Sequence, residues 1–287
     1  MGSLWMLVAS LLFACMGACV KLGAAHFNAA ELVFWRGFVS LLMIGAWVAW
    51  YRLPVMTPLW RTHLARSGSG FVALVFYFLA ITILPLATAV TLNYTSPLWL
   101  AALVAVMAHQ PLRRSMWAAL ALGLAGVAMV LKPSIDPALW YGAVLGLCSG
   151  AVSSVAYLNV RKLGEAGEPE WRTVFWFSAV CSAGGLPFAL LKPHAGSWTL
   201  TEVAILLGVG GFGAFAQLAM TRAYRYGKTM VAAALSYTTV VFAAIFGAVI
   251  WGEHLDPLAL FGILAVIASG ALAGKLSRRP APPAETD

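Results

Sequence analysis

Two tyrosines in matching polar settings, at positions 94 and 237, are the groups in this chain best suited to recognise a solute. Tyr94 sits in Asn93-Tyr94-Thr95-Ser96 and Tyr237 in Ser236-Tyr237-Thr238-Thr239. An amide, two phenols and several hydroxyls within apolar runs offer hydrogen bonds without charge, which is the chemistry of binding. Each tyrosine lies about eight residues into its run, roughly 12 Å deep at 1.5 Å per residue, in a hydrocarbon core about 30 Å thick. Polar side chains at that depth face a bundle interior or a wet cavity. A buried phenol needs a partner, and a neighbouring helix carbonyl or a solute's polar group would serve equally. Pro97 removes one backbone donor and predicts a kink that frees the carbonyl of Asn93. Tyr77, Tyr157 and Gln217 are further midspan polar groups, and Trp99 adds an aromatic surface whose alternative is lipid. For Ser96, Thr238 and the other hydroxyls, bonding to their own helix is the simpler role.

The elements that must position these groups follow from composition. Of 287 residues, 62% are hydrophobic and 10% charged, against about 25% charged in soluble domains. The hydropathy pattern predicts an all-α integral membrane protein with ten transmembrane helices. The first five lie near residues 3–22, 30–50, 68–84, 86–108 and 114–131; the second five lie near 138–160, 171–191, 203–221, 229–251 and 257–274. The chain also repeats itself. Val33-Phe34-Trp35 recurs as Val174-Phe175-Trp176, and Lys21-Leu22-Gly23 as Lys162-Leu163-Gly164. Residues 1–134 and 135–274 are therefore read as two five-helix repeats, and an odd number of crossings inverts the second. Residues 275–287, polar and proline-rich, are expected to form a disordered cytoplasmic tail.

Charge placement sets the expected orientation. Ten alternating spans put fourteen of the eighteen Lys and Arg residues on the face that carries both termini, Arg66 among them, and three on the other. By the positive-inside rule both termini are cytoplasmic. Only Arg36 falls within a span, where it can snorkel outward or pair with Glu31. The net charge of +8 thus follows membrane topology, and no nucleic-acid partner is expected. No Asp or Glu lies deep in any span, so no buried carboxylate relay is expected. Facilitated diffusion or exchange is the predicted mode, through a nearly uncharged passage.

Other chemistries find little support. The histidines His26, His63, His109, His194 and His254 all fall in loops or at span ends. None is placed to activate a nucleophile or hold a metal in the bilayer. Cys15, Cys19, Cys148 and Cys181 read as packing residues. No catalytic residue, metal site or cofactor is expected. Gly142, Gly146 and Gly150 share one face of the sixth span and Gly270 and Gly274 one face of the tenth, a spacing that permits close helix approach. Gly208, Gly210, Gly211 and Gly213 in the eighth form either a hinge or a crowded crossing.

Several short motifs converge on one family. The tight connection Ile83-Leu84-Pro85-Leu86, the stretch Asn93-Tyr94-Thr95-Ser96-Pro97-Leu98 and Trp251-Gly252-Glu253-His254 resemble the EamA-type branch of the drug/metabolite transporter superfamily. Within it, the fourth span is most similar to that of YddG-type exporters of aromatic amino acids. The resemblance implies ten helices around a central cavity lined by spans 1, 3, 4, 6, 8 and 9. It implies a monomeric, multi-pass protein of the inner membrane, with the lipid bilayer and a small-molecule substrate as its partners. Tyr77, Asn93, Tyr94, Ser96, Trp99, Tyr157, Gln217, Tyr237 and Thr238 then form the expected substrate-binding set. Export of amino acids by alternating access is the function implied. The alternative is another metabolite class, such as a nucleotide-sugar, drug or lipid-linked substrate.

Overall fold

Apolar runs of about 20 residues must satisfy every backbone group internally when lipid surrounds them, and a helix does so. The computed structural model describes residues 2–84, 86–108, 112–132, 137–191, 198–252 and 256–276, which are overwhelmingly helical and contain no strand. The first half comprises α1 (Trp5–Gly23), α2 (Ala29–Trp50), α3 (Trp60–Ile83), α4 (Leu86–Asn93), α5 (Ser96–Ala108) and α6 (Arg114–Leu131). The second comprises α7 (Trp140–Glu165), α8 (Glu170–Leu191), α9 (Leu200–Tyr226), α10 (Thr229–Ser236), α11 (Thr238–Trp251) and α12 (Pro257–Leu276). Because α4–α5 and α10–α11 are each one broken span, these twelve helices make ten crossings. Nine are long and apolar enough by themselves among the described residues. The tenth is α3, which begins eight residues before its predicted apolar run and carries Arg61, His63 and Arg66 in its first two turns. Pro85, Asp136, Glu253-His254, His109, His194 and tail residues 277–287 lie outside the described residues.

The two halves interlock. The most extensive packing pairs are α3 with α7, α6 with α12, α1 with α9, and α2 with α8, and each joins one half to the other. Counted as spans, these are 3 with 6, 5 with 10, 1 with 8, and 2 with 7. Exchanging the halves turns the 3–6 pair into the 8–1 pair and returns the other two to themselves. The secondary pairs α5 with α7 and α1 with α11 exchange in the same way. The packing therefore obeys the internal duplication seen in the sequence.

Small residues set the closest approaches. A Cβ on Gly126 would meet the Gly262 carbonyl oxygen at 2.6 Å, and one on Gly262 would meet that of Gly126 at 2.6 Å. The same α6–α12 seam is closed by Ser269 Oγ donating to the Ala119 carbonyl at 2.7 Å. Gly142, Gly146 and Gly150 of α7 face Ile83, Leu92 and Thr95 in turn, so that glycine stripe seats the third-to-fourth connection and the broken fourth span. Gly210 lies against Val39, where a Cβ would fall 2.3 Å away. Ser40 donates to the Gly210 carbonyl at 2.8 Å. The glycine-rich stretch of α9 is thus a crowded crossing. In α12 the tight contacts belong to Gly262 and to Gly270, whose Cβ would meet Leu235 Cδ2 at 2.9 Å, while Gly274 faces open space. Gly126→Val should drive a side chain into a facing backbone and cost about 1–3 kcal/mol or more. A lowered melting temperature in detergent is expected; a melting temperature equal to the parent's contradicts this seam.

Paired polar clasps hold loops to helix starts. Glu168, in the connection between α7 and α8, accepts from Thr57 Oγ1 and from Arg172 Nη1 at 2.6 Å. His63 Nε2 on α3 lies 3.4 Å from the same carboxylate. Arg172 also donates to the Pro54 carbonyl at 2.8 Å. Half-exchange places the mate of this clasp between α9 and the α1–α2 connection. There Glu202 lies 3.3 Å from His26, with acid and imidazole swapped between helix and loop. Burial alone would raise the Glu168 carboxyl; the hydrogen bonds from Thr57 and Arg172 override that and hold it below its ordinary value. A depressed carboxylate adds stability above the unfolded-chain value of about 4.3 and loses it as pH falls through the folded one. Glu168→Gln should therefore remove about 2 kcal/mol at neutral pH and flatten the acid-side decline of the melting temperature. A variant that follows the parent across that whole range would contradict the clasp.

Candidate functional site

The fourth span breaks where proline demands it. Helix α4 ends at Asn93 and α5 begins at Ser96, leaving Tyr94 and Thr95 in a turn just before Pro97. The Asn93 and Leu92 carbonyl oxygens point at α7, where a Cβ on Gly150 would meet them at 3.1 and 3.0 Å. Asn93 Nδ2 donates to Ser149 Oγ at 2.9 Å, so the amide fastens the break to α7. Ser149 in turn donates to the Gly146 carbonyl. The ninth span breaks in the equivalent place, at Tyr237 between α10 and α11, without a proline. Its hydroxyls turn back on their own chain: Ser236 to Ala233, Thr238 to Leu235 and Thr239 to Ser236. Thr95 does the same to Leu92. Ser96 is buried at the start of α5.

The two breaks meet. The Tyr94 and Tyr237 rings lie 6.2 Å apart at 42°. Thr239 lies near the Tyr94 phenol. Tyr237 is fully buried against Gly123, Val127 and Val266, and its hydroxyl has no protein partner. Tyr77 stands close enough to Tyr94 for their phenols to interact. Tyr157 stacks on Tyr224 at 5.6 Å and 18°. Trp99 lies apart from this group, 43% exposed and without a ring partner among the described residues.

A charged cluster adjoins Tyr157, and only half of it was legible in the sequence. Arg36 neither snorkels nor pairs with Glu31. Its Nε contacts Met16 Sδ at 3.3 Å, and its guanidinium carbon lies 5.6 Å from the Phe177 ring centre. Glu31 instead closes a capping box with Asn28 at the start of α2. Arg66, assigned from sequence to the basic membrane face, is 2% exposed inside the bundle. Its Nη2 donates to Gln217 Oε1 at 2.8 Å, and its guanidinium carbon stands 3.8 Å from the same Phe177 ring. The interior therefore holds two cations, and the expectation of a nearly uncharged passage fails on Arg66. Its basic, small-residue neighbours made it read as a flank, when α3 in fact starts early and carries it inward. A cavity of about 10 Å³ beside Arg36 is lined by Ser40, Phe177, Ser178, Cys181 and Gln217. That is room for one water at most, so α2, α8 and α9 are closed on one another here. Among the described residues no cluster could hold a metal ion.

Comparison with known proteins agrees with this architecture. The model of the EamA-like transporter family matches residues 1–132 and again 140–274. The pseudopaline exporter CntI of Pseudomonas aeruginosa is 32% identical over 279 residues, covering 94% of this chain and 95% of that protein. An S-adenosylmethionine uptake transporter of Rickettsia prowazekii is 22% identical, covering 93% of this chain and 90% of its own. A solved crystal structure shares the fold with a TM-score of 0.85 at 19% identity, covering 97% of this chain and 99% of that one. Neither named relative is described as an exporter of aromatic amino acids, so the narrower likeness drawn from the fourth span does not rest on them. With its ten helical crossings and both halves matched by the family model, the chain belongs to the EamA-like transporter family and is a multi-pass membrane transporter.

Proposed function

We propose that this protein exports small metabolites, amino acids with hydrophobic or aromatic side chains among them, across the inner membrane by alternating access. The observation that carries this reading is the meeting of two broken spans at Tyr94 and Tyr237. Discontinuous helices from duplicated halves, facing each other near the midplane, are where secondary transporters bind their substrates. The unpartnered Tyr237 hydroxyl offers a hydrogen bond to a solute. Tyr77, Tyr94 and Tyr157 offer aromatic surface, and Asn93, Ser96, Gln217 and Thr238 offer polar contacts beside it. Residues 1–134 and 135–274 are the two bodies that rock, with cytoplasmic termini and one copy of the chain as the working unit.

The clasps at Glu168 and Glu202 are the parts that must open in turn. Each ties a loop of one half to a helix start of the other. The described carboxylates all lie at helix ends or in loops, which supports uniport or exchange over proton coupling. A second reading, transport of a metabolite outside the amino acids, is favoured by buried Arg66 with half-buried Arg36 beside it and by the pseudopaline and S-adenosylmethionine named for the relatives.

Flux of labelled amino acids in proteoliposomes tests the reading. Tyr94→Phe should lower transport of polar-headed substrates at least severalfold while the fold persists. An imposed pH gradient should not drive accumulation. Unchanged flux in the variant retires Tyr94 as a substrate contact, and uphill transport on a pH gradient retires uniport.

A further inference from the structure

Arg36 and Arg66 are two interior cations with no anion assigned to them. The described carboxylates are engaged elsewhere: Glu31 with Asn28, Glu165 with Arg161, Glu168 with Arg172, Glu170 with Arg225, Glu202 with Thr199 and Asp256 with Lys132. What surrounds the arginines is neutral. Gln217 takes one hydrogen bond from Arg66, and the Phe177 ring lies against both guanidiniums. Arg66 Nε and Nη1 are buried with no hydrogen-bond partner. The two side chains also sit near enough to feel each other's charge. Like charges in a low dielectric repel, and an uncompensated cation at such depth is destabilising. Arginine keeps its proton in proteins, so neutralisation does not relieve the strain.

We propose that this pair is an oxyanion subsite, and that the transported solute carries a carboxylate or phosphate which binds between Arg36 and Arg66. The inference rests on the transport reading and, within it, favours the second substrate class, metabolites outside the ordinary amino acids, as acidic ones. Guanidinium donors match planar oxyanions in geometry as well as charge. Two cations facing one carboxylate leave a net positive charge, so an acidic solute suits the site better than a zwitterion, whose ammonium would meet no carboxylate there. The cavity beside Arg36 marks the entry point. It must widen for a carboxylate to enter, with Phe177 and Cys181 of α8 moving away from Gly37 and Ser40 of α2. Tyr157, close to both arginines, stands between this subsite and the Tyr224 ring. A solute with an acidic head and an apolar body would span the two.

A matched series isolates the charge. N-acetylphenylalanine, phenylalanine and phenylalaninamide share a body and carry a carboxylate alone, a carboxylate with an ammonium, and an ammonium alone. Titration calorimetry of the purified full-length protein in detergent should show affinity falling in that order, at least tenfold from first to last. Succinate and glycerol 3-phosphate then tell carboxylate from phosphate as the preferred oxyanion. Arg66→Gln and Arg36→Gln should each reduce the N-acetylphenylalanine to phenylalaninamide ratio at least fivefold. Arg66→Lys, which keeps the charge and loses the fork, should reduce it less. The wild-type ratio needs no variant to fold. Equal affinity across the series, no binding by any compound, or an unaltered ratio in folded glutamine variants overturns the subsite. If the ratio holds but proteoliposomes pass none of the compounds, the subsite stands and the transport reading falls.

Discussion

Inside hydrocarbon a polar group finds a partner in protein or in a water-filled space, and this molecule is organised by that demand. Ten helical crossings meet it almost everywhere. It is suspended at the two breaks, where Tyr94-Thr95 and Tyr237 interrupt their spans, and each break is answered in kind. Asn93 reaches Ser149 on α7, and its freed carbonyl faces Gly150, whose missing side chain lets it approach. In the second half the hydroxyls of Ser236, Thr238 and Thr239 serve their own helices. The breaks are therefore supported structures, able to hold Tyr94 and Tyr237 against each other without unravelling.

The same demand gives the arginines their meaning. A basic residue near the end of a helix can reach water, as Arg61 does, but Arg66 is enclosed. Phe177 and Gln217 supply a ring face and one acceptor, which is less than a guanidinium asks. The tyrosine pair and the arginine pair thus divide the interior into a neutral aromatic part and a cationic part. Tyr157 belongs to both through its stacking on Tyr224 and its nearness to the two cations.

Interlocking of the halves constrains any movement of one against the other. Every major packing pair crosses from one repeat to the other, so a displacement of one half shears the α3–α7 and α1–α9 seams together. The glycine contacts of α6 with α12 and of α9 with α2 leave little slack for bending at those points. The His-Glu clasps at the two ends add polar contacts to loops that also pack apolar surface, Phe27 against Leu206 and Trp198, and Leu53 and Val55 against the Val174 cluster.

Much of this was legible from residues alone. Apolar length fixed the ten spans, the repeated Val-Phe-Trp and Lys-Leu-Gly triplets marked the duplication, and Pro97 foretold the break in the fourth span. The tyrosine pair was found because polar residues stand out against an apolar run. The break at Tyr237 was not, since no proline or glycine marks it and hydroxyl-rich stretches occur in unbroken helices too. Arg66 escaped for a related reason: linear position set it among basic flanking residues, while the early start of α3 winds it toward α8 and α9. Glu31, near Arg36 in sequence, is directed away by its capping role. Periodicity and composition report which residues face apart from water. Which buried groups face one another depends on helix rotation and crossing, and those are decided by contacts between elements far apart in the chain.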